Sequence, residues 1–285
     1  MTMPSSVAPS TMIRDIESLS ELEEVLRLEK EVWDLADVDV TPLTLAIALR
    51  AAGGICLGAF DRGELVGFAS AFPSREQGRA GFHSHMLAVR AGSRERGLGF
   101  RLKMAQRERA LALGVKEMTW TFDPLRSKNA HLNFSKLGVI SDTYKADFYG
   151  NQSSSPLFRN HTDRLWVRWH MADSRVEERL YGKETGALAF DSLSHLEPLV
   201  RFNGNARPAL ADVPTALSRQ RVAIEIPGDI ERVEIEDKAR AREWRLATRQ
   251  AFTQAFEAGF IVKDFCRSIR GQQGPGAYLL ERAEE

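Results

Sequence analysis

The apolar positions of this 285-residue chain change their spacing repeatedly, and each change marks an element. Leu22, Val25, Leu26, Leu28 and Val32 recur near helical intervals behind Ser18 and Ser20, either of which can cap a helix ending around Trp33. Thr41-Pro42 begins a second helix that runs to Ala52 and stops at Gly53-Gly54. The apolar stretches 55–60 and 64–72 flank Asp61-Arg62-Gly63-Glu64 and predict a hairpin. A strand at 82–89 follows, then a helix at 100–113 stopped by Gly114, a strand at 117–122 broken by Pro124, and a short helix at 129–137 ended by Gly138. Strands at 139–149 and 164–171 complete this part. Antiparallel hairpins first and a strand–helix–strand unit in the middle predict a mixed α/β sheet with helices on both faces.

The pattern also divides the chain. Residues 1–11, rich in Ser, Pro and Thr, read as a disordered leader, and 12–172 as the first domain. Residues 173–220 are polar, carry Gly182, Pro198, Pro208 and Pro214, and read as a connector with short helical pieces. Residues 221–285 form a βαββ unit: a strand at 221–226, a long helix from Ile230 or Glu236 to Ala258, and strands at 260–267 and 277–282. Its grammar repeats the end of the first domain. Trp120-Thr121-Phe122-Asp123-Pro124 parallels Ala223-Ile224-Glu225-Ile226-Pro227, and Leu137-Gly138-Val139-Ile140 parallels Ala258-Gly259-Phe260-Ile261.

Lys plus Arg equals Asp plus Glu at 39 each, so no net positive field favours nucleic acid or an anionic membrane as partner. Cys56 and Cys266 sit in apolar settings and read as buried thiols, and no metal site is expected. No run of eighteen apolar residues occurs and the N-terminus does not read as a signal peptide, so a soluble cytoplasmic protein is expected.

The chemistry concentrates at Arg94-Glu95-Arg96-Gly97-Leu98-Gly99, between the apolar run ending at Val89 and the helix that follows. A glycine-bearing loop that opens a helix leaves several backbone N–H groups unpaired at the positive end of the helix dipole, which suits a phosphate. The loop lacks the third glycine of a dinucleotide fingerprint and the acidic residue about twenty positions on, so that reading is set aside.

The stretch 87–99 resembles the acyl-CoA-binding motif of the GNAT acyltransferases, an apolar strand followed by Arg or Gln-x-x-Gly-x-Gly or Ala. The resemblance implies a GNAT fold over about 12–172 with an appended βαββ half-domain, which would then be a half-GNAT duplication. It implies that amides around Arg94, Glu95, Arg96, Gly97, Leu98, Gly99 and Phe100 hold the CoA pyrophosphate. The strand at Leu87, Ala88 and Val89 would pair with the pantetheine arm. Residues 129–139 are similar to a later family signature, with one residue fewer after Asn129, so Asn129 would bond the pantetheine. Phe134 stands where many members carry a Tyr that protonates the leaving thiolate, which puts that donor in doubt. The implied co-substrate is acyl-CoA, as acetyl-CoA or succinyl-CoA, with no metal.

An amine acceptor arrives protonated and needs a base. His83 and His85 are the candidates, two apart on a strand and therefore expected on one face. The run 83–89 resembles the His-x-His-x-Leu-Ala-Val of arylalkylamine N-acetyltransferases, where the paired histidines relay a proton. Glu29 and Glu31 could enter an acceptor pocket, although charged helix residues usually face solvent. Tyr144 and Tyr149 could supply a phenol, whereas His131 and Lys136 read as solvated. Arg242, Arg245 and Arg249 on the C-terminal helix could neutralise an acceptor carboxylate, or form a solvated basic face. The expected function is transfer of an acyl group to the amine of a small molecule, an amino acid among the candidates. A non-catalytic acyl-CoA-binding module and a protein lysine or N-terminal acetyltransferase stay open, as does a homodimer.

Overall fold

A computed structural model describes residues 11–76, 78–150, 161–182, 196, 198–203, 205–267, 269 and 275–283. Of the expected leader 1–11, all but Thr11 lies outside the described residues. The chain forms two compact units, with the main division between Met118 and Thr119.

The first unit begins with β1 (Met12–Asp15) and α1 (Leu19–Trp33). Ser18 accepts from the Glu21 N–H while the Glu21 carboxylate accepts from the Ser18 N–H, a capping box that fixes where α1 starts. Then come α2 (Leu43–Ala51), β2 (Ile55–Asp61), β3 (Glu64–Glu76), β4 (Arg79–Val89) and α3 (Leu98–Ala112). The strands pair antiparallel in the order β1-β2-β3-β4. Leu22, Val25 and Leu28 of α1 pack on Phe60, Leu65, Phe68 and Ala88 to form the core on that face.

Two features were not legible from apolar spacing. The short strand β1 was not read at all. The β3–β4 hairpin extends beyond the expected 64–72 and 82–89, to Glu76 and from Arg79, with Pro73 opposite Phe82. Those outer rungs are mostly polar, so backbone pairing defines them and side-chain alternation does not.

The division falls inside β5 (Glu117–Phe122). The second unit continues with α4 (Ser127–Ala130), a π-helical turn at His131–Lys136, β6 (Ile140–Lys145) and β7 (Arg164–His170). After α5 (Ser174–Tyr181) come β8 (Pro198–Phe202), β9 (Pro208–Leu210) and α6 (Val213–Leu217). The βαββ unit is β10 (Arg221–Ile226), α7 (Ile230–Glu236), α8 (Lys238–Glu257), β11 (Phe260–Cys266) and β12 (Gly276–Arg282). Asp237 separates α7 from α8, and its carboxylate accepts from the Arg240 N–H. The strand expected at 139–149 stops at Lys145, because Asp147 takes a left-handed φ of 46° in the turn beyond.

The strand order here is β5-β7-β6-β11-β12-β10-β8-β9. β6–β7, β11–β12 and β10–β12 are antiparallel, while β8 joins β10 in parallel. The first six strands therefore read as β5-β7-β6 followed by the same arrangement reversed, β11-β12-β10, joined where Ser141 faces Val262. Tyr278 of β12 is at the centre of this core, its ring against Phe134, Phe252 and Phe265 and its hydroxyl donating to the Pro124 carbonyl at 2.5 Å. No described helix is long and apolar enough to cross a membrane.

Candidate active site

β4 leads into a 3-10 turn over Ala91–Arg96, and Gly97 then caps α3 with φ 66° and ψ 19°. A Cβ at Gly97 would meet nothing within 4 Å, so glycine serves here for its left-handed backbone and not for lack of room. The first N–H to return into α3 is that of Arg101, to the Gly97 carbonyl at 3.1 Å. The amides of Leu98, Gly99 and Phe100 precede it without helical partners. Among the described residues no acidic side chain lies in that first turn and none caps it, so the helix end is chemically suited to an anion. Leu98 is fully buried and anchors the turn, while the exposed Arg94 donates through Nε to the Val89 carbonyl at 3.0 Å. The side chains of Glu95 and Arg96 lie outside the described residues. Leu87, Ala88 and Val89 stand opposite Ala69, Phe68 and Gly67 in the ladder with β3.

Upstream on β4 the ladder is irregular. Ser70 faces Met86 and Ala71 faces Ser84, so His85 has no opposite residue on β3 and forms a bulge. Both imidazoles still come to one ring, His83 at 5.4 Å and His85 at 5.9 Å from Phe72 between centroids. Burial lowers both pKa values, that of His83 to about 4 with help from the neighbouring His85 and Lys103. Both rings are therefore neutral at pH 7 and able to accept a proton.

His85 opens onto a cavity of about 50 Å³ between the sheet and α1–α2, together with Glu29, Leu22, Val25, Phe68 and Phe72. Glu29 is 1% exposed, and burial raises its pKa against two bonds that Oε1 accepts from Thr41, at 3.0 Å from N and 3.1 Å from Oγ1. Glu31 instead meets Arg90 at 3.0 Å on the exposed side of the helix. Spacing could have separated the two, since Glu29 falls seven residues after Leu22 and four after Val25, on the apolar stripe. On the opposite face of β4, Lys103 of α3 is buried and donates to Ser84 Oγ at 2.7 Å, and that hydroxyl donates to Gln106 Oε1 at 2.9 Å. Burial brings the Lys103 pKa down to about 7, a feature the sequence reading missed.

The remaining candidates belong to the second unit. Asn129 is exposed and its side chain makes no hydrogen bond among the described residues. Phe134 is fully buried against Phe122 and Tyr278, a core aromatic. Tyr144 stacks on Phe252 and donates to Asp163 Oδ2 at 2.5 Å, and burial together with that carboxylate holds its phenol well above the ordinary range. Tyr149 is exposed, 3.3 Å from the Thr121 hydroxyl. Lys136 is exposed, while His131 is half-buried and not solvated as expected. Arg245 and Arg249 do not form a solvated face either. Arg245 reaches Asp123 through both terminal nitrogens at 2.6 and 2.8 Å, and Arg249 bridges Asp163 at 2.6 Å and Asp147 at 3.0 Å. Arg242 is exposed. Among the described residues no group of acidic, His or Cys side chains is arranged to hold a metal.

Residues 15–138 match the model of the acetyltransferase (GNAT) family. No curated protein matches the chain. Among solved structures the chain is similar to an aminoglycoside 6'-acetyltransferase type Ii, at 19% identity over 57% of this chain and 98% of that one with a TM-score of 0.46. It is similar to a ribosomal-protein-alanine N-acetyltransferase from Brucella melitensis, at 18% identity over 55% and 98% with a TM-score of 0.45. A GNAT-family acetyltransferase from Streptococcus pneumoniae gives 17% identity over 56% and 98%, with a TM-score of 0.44. The assignment rests on the family model: residues 15–138 are a GNAT acetyltransferase domain, followed by a further C-terminal region.

Proposed function

We propose that the chain moves an acetyl or succinyl group from acyl-CoA to the amine of a small molecule. The observation that carries this reading is the end of β4, where a neutral histidine opening onto a cavity is followed within fifteen residues by a helix N-terminus behind Gly97. The amides of Leu98, Gly99 and Phe100, with Arg94 beside them, bind the pyrophosphate of the donor. His85 takes the proton that the acceptor sheds, with His83 behind it. The amine nitrogen attacks the thioester carbonyl carbon, the C–S bond breaks, and CoA leaves as thiolate. Asn129 bonds the pantetheine arm. The buried setting of Phe134 supports a mechanism without a phenol at that position, and a thiol of pKa about 8.5 needs little help to leave at neutral pH.

Residues 221–285 are, in this reading, a half-GNAT repeat. The matching strand orders β5-β7-β6 and β10-β12-β11, each with its helix between the first and second strands in sequence, support that. The test of function is thiol release from acetyl-CoA and succinyl-CoA across a panel of amines and D- and L-amino acids. Release with one acceptor class is expected. Tight CoA binding with no release on any acceptor would overturn the catalytic reading in favour of an acyl-CoA-sensing module.

A further inference from the structure

We infer that Glu29 is the anchor for a cationic nitrogen of the acceptor, which makes the acceptor a small amine with an apolar body and no carboxylate of its own. The inference rests on the acyl-transfer reading above and deepens it by naming the substrate class. Three observations carry it. First, Glu29 is a carboxylate 1% exposed on the apolar stripe of α1, lining the same cavity as His85. Second, only one of its oxygens is used: Oε1 accepts both bonds from Thr41, and Oε2 accepts none among the described residues. That second oxygen is open to a donor from the cavity side, and an ammonium would give it a charge-assisted bond. Third, the rest of the lining is mainly apolar. Its one arginine, Arg50, is turned to the carbonyls of Ile16 and Glu17 at 3.4 and 3.1 Å.

Size narrows the class further. A water-sized group needs roughly 10–15 Å³ of such space, so a cavity of about 50 Å³ has room for a short chain of atoms. That is an ammonium with a short carbon arm. A zwitterion would bring its carboxylate towards the like charge of Glu29, which disfavours amino acids against simple amines.

The test uses n-butylamine, n-butanol and 4-aminobutanoate as probes on the full-length protein. Each is titrated calorimetrically with and without saturating CoA, on the wild type and on Glu29→Gln and Glu29→Asp. Glutamine keeps the oxygen that Thr41 bonds, so the fold is retained while the charge is lost. Butylamine is expected to bind the wild type, and butanol and 4-aminobutanoate to bind about tenfold more weakly or not at all. Glu29→Gln should weaken butylamine by about tenfold or more, the worth of one bond to a charged group, while CoA affinity stays unchanged. Glu29→Asp should fall between the two. In steady state the loss should appear in the KM for amine and much less in kcat.

Butylamine affinity equal in the wild type and Glu29→Gln, or 4-aminobutanoate binding as well as butylamine, would overturn the inference. Failure of CoA to bind would instead overturn the acyl-transfer reading. The amine titration without CoA would still decide whether Glu29 binds a cation.

Discussion

His85 has no opposite residue on β3, yet its ring lies 5.9 Å from that of Phe72, the ring that also receives His83. A bulge usually re-aims the residue it frees. Here it brings one imidazole to the wall of the cavity beneath α1 and α2, while His83 lies outside that lining.

Replacing His85 by alanine is expected to lower turnover roughly a hundredfold below about pH 8, where an amine is mostly protonated and general-base help is worth that much. The loss should shrink as pH rises and free amine becomes abundant. In the wild type, kcat/KM should fall on the acid side only below the ordinary imidazole pKa, because burial lowers that of His85. A pH-independent deficit in the variant would mark His85 as a packing residue.

Gly97 separates two effects. Gly97→Ala should cost about 1–2 kcal/mol of stability, the strain of a left-handed φ for a residue with a Cβ, and leave the fold intact. Gly97→Glu adds a carboxylate at the anion site and should abolish CoA binding by equilibrium dialysis while far-UV circular dichroism stays the same. Unchanged CoA affinity would remove the loop from the site.

Lys103 makes stability depend on pH. Its pKa is near 10.5 when unfolded and about 7 when folded, so between those values the unfolded chain binds more protons and stability rises with pH. Below pH 7 both states carry the charge and the full burial cost is present. Lys103→Met should therefore stabilise the protein by a few kcal/mol at pH 6, on the order of one kcal/mol per pH unit of displacement. It should have little effect near pH 10. Denaturant titrations at the two pH values measure the difference, and equal effects would contradict it.

Phe134→Tyr is expected to lose about 1–3 kcal/mol, because the new hydroxyl enters a closed aromatic cluster. No gain in kcat should accompany it. A faster variant at unchanged stability would show that a phenol at this position reaches the thiolate.

Arg245→Met should cost about 3 kcal/mol in urea unfolding, the low end for breaking a buried ion pair, because Asp123 keeps Arg126 at 3.9 Å. Removing both charges together, with Asp123→Asn added, should recover much of that loss.

How far the sequence could be read depended on where each signal sits. The capping box at Ser18 and Glu21, the Asp61–Glu64 turn and the Gly97 loop are written in contiguous residues, and the corresponding elements begin and end within a few positions of expectation. Features that arise from pairing were invisible. The bulge at His85 exists only in the match of β4 to β3, and the extension of that hairpin past Pro73 rests on backbone bonds. Arg245 and Arg249 were misjudged because their partners, Asp123 and Asp163, stand 122 and 86 residues away. Glu29 is half legible: its spacing puts it on the apolar stripe, while its charge argues for solvent.

The reversed strand order of the second unit also decides what a neighbouring chain could attach to. β6 ends the row β5-β7-β6, and β11 meets it where Val262 faces Ser141, so part of its open ladder is taken up from within. At the far side the row ends in β9, three residues that begin with Pro208, while the first unit ends in the four residues of β1. Strands so short, one of them missing a donor at its first residue, give an incoming strand too few rungs to hold. Among the described residues, the edges at β1 and β9 are thereby poor templates for a strand from another chain.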